Sequence, residues 1–435
     1  MNNLRNIKVA LISLGCDKNR VDSEVMLGLL AGEACVFTPR LAEAEAIIVN
    51  TCGFLQDAVA EAREEIEKAL EQKRTGRCRA VIVTGCAAQR YRELFENDEI
   101  DAVLGVHEYS RIADVMRAAF GLSGTGTHGE YSGRVLSTPG HYAYLKIAEG
   151  CDKTCTYCTI PAIRGPYRSR TVESLIDEAK QLAAQGVKEL VLVAQDTTLY
   201  GMDIYGRQVL HELLRKLSEI EGIRWLRLLY CYPEHIYDDF ITEMARNPKV
   251  LPYVDMPMQH AADKILRLMG RRSTQAELRA TIAKLREAIP GVTLRTTLIA
   301  GFPGETKGDF TELCDFVKEI KFDRLGVFAY SREEGTPADK LEGHLVEKTK
   351  KARADRLMKI QQEVSMVKMA EKIGSNLEII IEGEEDGAYF GRSRADAPDI
   401  DGIVYVETEK PLEMGEIVEV RVIDAGEYDL MGELL

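Results

Sequence analysis

Residues 143–158 read AYLKIAEGCDKTCTYC. The first half, Ala143–Ala148, is a short apolar run of strand type. The second half is a loop that spaces Cys151, Cys155 and Cys158 as C-x3-C-x2-C. Thiolates are the preferred ligands of iron–sulfur clusters. Three close cysteines hold three irons of a 4Fe–4S cluster and leave the fourth iron open to an outside ligand. A structural zinc site is the competing reading. It wants four protein ligands and paired C-x2-C hooks, and no fourth Cys or His follows at that spacing.

Downstream, five further strand candidates follow: Glu189–Ala194, Trp225–Tyr230, Tyr253–Met258, Thr293–Ile299 and Leu325–Tyr330, with helices between them. The helix Val172–Gln185 sets Val172, Leu175, Ile176, Ala179, Leu182 and Ala183 on one stripe, and Gly186 stands where a C-terminal cap belongs. Six β/α units fall short of the eight in a closed barrel. Residues 137–368, with the connecting helix, therefore read as a partial, open barrel with one side free for a large substrate. The cysteine loop leaves the first strand at its carboxyl end, the face where such barrels carry chemistry. Gln195 and Asp196 end the second strand on that same face. Gly301-Phe302-Pro303-Gly304-Glu305 follows the fifth strand and lacks the lysine and the spacing of a phosphate loop.

Upstream, residues 1–122 alternate strands (Ile7–Leu14, Ala46–Asn50, Ala80–Thr84) with helices such as Ala58–Gln72, the pattern of a mostly parallel sheet. Cys16, Cys52 and Cys86 each lie just past the carboxyl end of one of these strands, at the edge where α/β sheets bind ligands. Gly15 and Gly85 beside two of them allow tight turns and close backbone approach. Three loops thus bring three thiols toward one place. One such cysteine would read as a buried core thiol; three at equivalent positions read as a second cluster site. Cys35, Cys78, Cys231 and Cys314 lack this placement and read as ordinary thiols.

The stretch 123–136, rich in Gly, Ser and Thr at its start, reads as a linker. After a charged helix, about Val346–Ile373, and Gly374 come the strands Leu377–Ile381, Ile403–Val406 and Ile417–Val422. Residues 370–435 read as a small β-barrel module. The expected fold class is α/β: a parallel-sheet domain, an open (β/α)6 barrel and a small β-barrel.

Composition narrows the function. No apolar run approaches the roughly 18 residues of a membrane span, and Met1–Ala10 has no signal-peptide layout. A cytoplasmic location is expected. Ten cysteines in a chain of 435 residues then point to metal or chemistry, since the cytosol is reducing. The net charge of −14 tells against general nucleic-acid binding, which needs basic surface. From residue 376 to the end stand 17 Asp/Glu against four Lys/Arg (Arg392, Arg394, Lys410, Arg421), so 4 − 17 = −13. Nearly all the net charge sits on the tail module. An acidic module suits a basic protein partner better than RNA; a solvated acidic surface with no partner is the other reading.

The segment from Gly150 to Pro161, continuing through Arg164-Gly165 to Arg168-Ser169-Arg170, resembles the radical-SAM motif of the methylthiotransferase family. Leu14-Gly15-Cys16 with Lys18-Asn19-Arg20-Val21-Asp22-Ser23-Glu24 resembles that family's N-terminal signature, with Asp17 where the family commonly has proline. The tail resembles the TRAM domain, so the likeness covers nearly the whole chain. It implies two 4Fe–4S clusters, one on Cys151, Cys155 and Cys158 and one on Cys16, Cys52 and Cys86. It also implies S-adenosylmethionine (SAM) as radical source and methyl donor.

Two branches of the family differ in substrate. The segments Ala194-Gln195-Asp196-Thr197-Thr198 with Tyr200-Gly201, Pro257-Met258-Gln259-His260, and Tyr330-Ser331 with Glu333-Glu334-Gly335-Thr336 resemble one of them. That branch adds a methylthio group to the β-carbon of an aspartate in small-subunit ribosomal protein S-twelve. The other branch modifies an adenosine derivative of tRNA. By position, Tyr157 between two ligands is a shield for cluster or SAM or a packing residue, Gln195 and Asp196 are hydrogen-bond partners of SAM or a polar strand end, and Gly301 is a neighbour of the adenine. Lys153, Arg164 and Arg168 are candidate receivers of carboxylates or a solvated surface patch of basic residues, and His260 is either a substrate contact or a structural histidine. The implied partners are the ribosomal protein and a low-potential electron donor such as flavodoxin or ferredoxin, with no tight nucleic-acid binding and no membrane. A scaffold protein with structural zinc is the alternative from another class.

Overall fold

A computed structural model describes residues 4–126 and 133–435. The chain forms two compact units that interleave in sequence. One comprises Met1–Ser137, Glu149–Lys153 and Thr159–Arg168; the other comprises Thr138–Ala148, Thr154–Cys158 and Ser169–Leu435.

The first unit is built on a parallel sheet of β1 (Lys8–Ser13), β2 (Val36–Phe37), β3 (Ala46–Thr51), β4 (Ala80–Gly85) and β5 (Ala102–Leu104), in the order β2-β1-β3-β4-β5. Its helices are α1 (Asp17–Gly32), α2 (Gln56–Thr75), α3 (Cys86–Arg90), α4 (Ile112–Ala119) and α5 (Ile160–Arg164). Every residue of β3 and β4 is buried, which is why their sequences run apolar without alternation. Ile47, Val49, Val81 and Val83 pack with Val59, Ile66 and Leu70 of α2. Ile48 and Ile82 pack on the other face with Val25, Met26 and Leu29 of α1 and Ile112 and Met116 of α4. The strand order reverses direction between β1 and β3, so a crevice opens beside their carboxyl ends.

Residues 127–132 of the expected linker lie outside the described residues. Beyond them the chain is well anchored in the first unit. Arg134 is buried against Glu24, and Glu24 also accepts Ser137 N at 2.9 Å and Ser137 Oγ at 2.8 Å. The cysteine loop itself lies between two-residue strands, β7 (Ala148–Glu149) and β8 (Arg168–Ser169).

The second unit carries β6 (Tyr142–Lys146), β9 (Glu189–Val193), β10 (Trp225–Leu228), β11 (Tyr253–Asp255), β12 (Thr293–Ala300) and β13 (Arg324–Ala329). They form two parallel three-stranded sheets, β10-β9-β6 and β11-β12-β13, joined at the bridge Leu226↔Val250. This is the expected open arc, with β6 and β13 at its two ends. Around it run α6 (Val172–Ala184), α7 (Met202–Tyr205), α8 (Leu210–Ser218), α9 (Asp238–Arg246), α10 (Asp263–Leu268), α11 (Gln275–Ala288) and α12 (Lys307–Ile320). In α6 the Thr171 side chain caps the start by accepting Ser174 N, and Val172, Leu175, Ala179 and Leu182 are buried. Gly186 follows in the left-handed region at φ +97°.

The long helix α13 (Glu347–Ala370) leads to a closed barrel of β14 (Asn376–Glu385), β15 (Ala388–Ser393), β16 (Val404–Glu407), β17 (Ile417–Ala425) and β18 (Leu430–Leu434). Two of these strands, β15 and β18, have no counterpart among the strands read from the sequence. The small barrel is fastened to the open arc by a buried polar seam. Glu189 of β9 takes Arg227 Nε at 2.6 Å and Arg392 at 2.7 Å, and Arg392 also bonds Glu382 at 2.7 Å. Tyr253 donates to Asp401 at 2.6 Å, Trp225 Nε1 donates to Glu378 at 2.7 Å, and Arg324 pairs with Asp396. Part of the tail's acidity is therefore spent inside the molecule. Glu384, Glu385, Asp386, Glu407, Glu409, Glu413, Glu419, Asp424, Glu427, Asp429 and Glu433 remain exposed. No described helix is long and apolar enough to cross a membrane.

Candidate functional site

The three N-terminal cysteines sit at the carboxyl ends of three adjacent strands. Cys16 follows β1 as the N-cap of α1, Cys52 follows β3, and Cys86 opens α3 directly after β4. Two glycines let these turns close. Gly15 (φ +89°) has Cys52 Sγ 3.0 Å from where a Cβ would stand, and Gly85 (φ +96°) has Asn50 Oδ1 at 2.3 Å from that point. Any side chain at either position would collide with the loop beside it.

Asn19, fully buried, ties the loops together. Its Nδ2 donates to Leu14 O and to Thr51 O, each at 2.9 Å, and its Oδ1 lies 3.6 Å from Cys86 Sγ. Ser23 bonds Ser13 at 2.9 Å and accepts Asn50 Nδ2 at 2.9 Å. The run from Lys18 to Glu24 is thus the scaffold of the cysteine loops, with Asn19 as its clamp.

Cys16 is exposed, Cys52 half-buried and Cys86 buried. Burial, helped by the thiols of Cys16 and Cys52, raises the Cys86 thiol to about 11 against the opposing pull of Arg164. Cys52 is raised by burial as well. A thiolate here needs a compensating positive charge, which a metal ion supplies. No three described His, Cys, Asp or Glu side chains converge closely enough for a single metal ion. A four-iron cluster does not ask for that, because each cysteine ligates a different iron. The donor set is soft, grouped and partly dry, and it fits such a cluster.

Arg164 does not belong to a surface basic patch. Its side chain is 1% exposed and bonds Asp22 at 3.2 Å, Glu149 at 2.8 Å and Cys86 Sγ at 3.3 Å, as well as Asn19 Oδ1. It is therefore not a receiver for a substrate carboxylate. Arg168, by contrast, is exposed and bonds His107 Nδ1 at 3.0 Å. Cys151 donates its backbone N–H to Gly165 O at 3.0 Å.

In the second unit, Cys155 Sγ lies 3.4 Å from the Tyr232 hydroxyl. The Arg271 guanidinium stacks over the Tyr232 ring at 3.8 Å and donates to Pro257 O at 2.8 Å. Tyr157 packs edge-on to Phe302 at 6.4 Å, and burial drives its hydroxyl well above the ordinary tyrosine range. Tyr232 and Arg271 carry no sequence signal. Tyr232 follows the end of β10, and only the folded chain brings it to the cysteine loop.

Asp196 is fully buried and engaged. It accepts Thr198 Oγ1 at 2.7 Å, Leu199 N at 3.2 Å and His235 Nδ1 at 2.7 Å. It shapes the turn that presents Gln195, itself half-buried. Gly301 (φ +80°) donates to Glu305 Oε2 at 2.8 Å, and a Cβ there would stand 2.4 Å from Lys350 Cγ. His260 is fully buried, accepts Ala262 N at 2.9 Å and lies 3.4 Å from Glu305, so it is structural and closed to substrate. Cys78, Cys231 and Cys314 are buried and raised by burial, and Cys35 is raised to about 11 the same way.

Three family models match the chain in succession: the uncharacterized protein family UPF0004 over residues 8–105, the radical SAM superfamily over 145–317 and the TRAM domain over 373–435. A protein of Desulforamulus reducens named ribosomal protein uS12 methylthiotransferase RimO is 49% identical over 98% of this chain and 99% of its own length. The RimO proteins of Lachnoclostridium phytofermentans and Clostridium botulinum are 49% and 47% identical over comparable spans. The chain belongs to the RimO methylthiotransferase family.

Members of the RimO family use SAM and two 4Fe–4S clusters. Solved structures agree on the fold. The radical SAM methyltransferase TsrM from Kitasatospora setae matches with a TM-score of 0.55 at 18% identity, covering 77% of both chains. The cobalamin-dependent radical SAM enzyme OxsB matches with a TM-score of 0.52 at 12% identity, covering 83% of this chain and 56% of its own.

Proposed function

We propose that this protein places a methylthio group on the β-carbon of an aspartate in ribosomal protein uS12. The carrying observation is the trio Cys16, Cys52 and Cys86 at the ends of three neighbouring strands, in a chain whose full-length relatives are RimO proteins. In this reading the trio holds one cluster, and Cys151, Cys155 and Cys158 hold the other, as their spacing suggests. Bound SAM and the two clusters supply the radical chemistry and the sulfur that acid–base side chains cannot, because an aliphatic C–H is too weakly acidic.

The protein's own side chains bind, orient and shield. The Tyr232 hydroxyl bonds Cys155 and fixes the direction of that ligand, while Arg271 holds the Tyr232 ring from behind. Tyr157, between two of the ligands, shields the cluster or SAM. Asp196, through its turn, sets Gln195 at the strand end to meet the polar groups of SAM, and the backbone at Gly301 borders the adenine. The exposed carboxylates of the tail barrel attract a basic ribosomal protein and repel RNA. This favours uS12 over tRNA as substrate. The reading further includes a low-potential donor of the flavodoxin or ferredoxin type and a cytoplasmic location, where both donor and ribosomal protein are found. The proposed working division is 1–122 for the second-cluster domain, 137–368 for the radical-SAM core and 370–435 for substrate docking.

The test is a product assay. The protein is reconstituted anaerobically and given SAM, a reductant and either uS12 or bulk tRNA, with mass spectrometry of both. A methylthio adduct on an aspartyl peptide of uS12 is expected. An adduct on tRNA alone would overturn the reading.

A further inference from the structure

Arg164 lies six residues beyond Cys158 in sequence, yet its guanidinium is spent on the N-terminal thiol site. One terminal nitrogen, Nη2, serves Asn19 Oδ1 and Cys86 Sγ together; the other, Nη1, serves Asp22 and Glu149. The next residue, Gly165, accepts the backbone N–H of Cys151 at 3.0 Å. The dipeptide Arg164-Gly165 therefore touches one cysteine of each set, by side chain at Cys86 and by backbone at Cys151. All these contacts lie within the first unit.

A buried arginine serving only to close a salt bridge has no need of a sulfur partner. A charge-assisted N–H aimed at a ligand sulfur withdraws electron density from it, and hydrogen bonds to ligand sulfurs and local net charge are what set a cluster's reduction potential. Asp22 and Glu149 act oppositely, since each negative charge in this dry site disfavours the added electron.

We propose that Arg164 is a positioning residue for the cluster on Cys16, Cys52 and Cys86: it orients the Cys86 ligand, raises that cluster's reduction potential, and couples the ligand to the loop of Cys151. The proposal rests on the assignment of a cluster to these three cysteines.

The experiment isolates that cluster. The full-length chain carrying Cys151→Ala, Cys155→Ala and Cys158→Ala is reconstituted anaerobically with iron and sulfide, then titrated redox-wise under EPR. Arg164→Gln, Arg164→Lys and Glu149→Gln are added singly to this parent. The parent should hold about four irons per chain. Arg164→Gln should titrate at a more negative potential, Arg164→Lys between it and the parent, and Glu149→Gln at a more positive potential. Shifts of opposite sign are not produced by a merely structural arginine. Unchanged potentials in Arg164→Gln and Glu149→Gln, with iron content kept, overturn the proposal. If Arg164→Gln fails to fold, Arg164→Lys decides: a potential below the parent's supports the proposal and an unchanged potential overturns it. A parent that takes up no iron overturns the cluster assignment and this inference with it.

Discussion

Glu189 and Arg392, 203 residues apart in sequence, meet as a fully buried ion pair at 2.7 Å. Glu189 begins β9 of the open arc, and Arg392 belongs to β15 of the tail barrel. Burial pushes the Glu189 carboxyl up, but Arg392 and Arg227 outweigh it and hold the group down at about 2. The unfolded chain returns it to the ordinary glutamate value of about 4.3. The pair's contribution is therefore whole above that value and is lost as the pH falls through about 2. Glu189→Gln should cost about 3–5 kcal/mol at neutral pH by leaving two buried arginines short of a counter-charge. Melting curves of the two proteins should lie far apart at pH 7 and converge toward pH 2.

Gly85→Ala should damage the thiol site without touching a thiol. The added methyl meets Asn50 Oδ1 and Thr51 O, and the backbone sits at φ +96°. Strain of about 1–3 kcal/mol is expected. Iron analysis after reconstitution should show about four irons per chain rather than about eight, with the loss confined to the N-terminal site.

The sequence carried β3 and β4 to within one residue of their ends, because strands buried on both faces run largely apolar. It carried the three cysteine positions for a related reason, since parallel strands deliver their following loops to one edge. The two-residue β2, the three-residue β5 and the Gly-interrupted β15 and β18 left too little pattern to read. Arg164 read as a surface cation because its spacing from Cys158 says nothing about Cys86. Only tertiary packing turns α5 toward Asn19 and Asp22. Tyr232 was silent for the same reason.

Tyr232→Phe should keep the fold and remove the hydroxyl 3.4 Å from Cys155 Sγ. A ligand sulfur that loses a hydrogen-bond donor favours the oxidised cluster. In the fully loaded protein, the signal of the Cys151/Cys155/Cys158 cluster should move to more negative potential. The other cluster's signal should stay in place.

The exposed acids of the tail barrel should govern encounter with substrate. Replacing Glu407, Glu409 and Glu413 together by lysine should slow uS12 modification about tenfold at low salt. The defect should narrow as salt screens the surface. Turnover of SAM without uS12 should not change, since all three residues lie on the solvent side of the small barrel.

The interleaving of the two units has a consequence for biosynthesis. Cys86 waits 78 residues for Arg164. At about 5–20 residues per second, that is roughly 4–16 s during which the nascent sheet lacks its last buried cation. Through that interval the three N-terminal thiols belong to an unfinished site. The Cys86 thiol thus gains its charge-assisted donor only after the loop of the other three cysteines has been made.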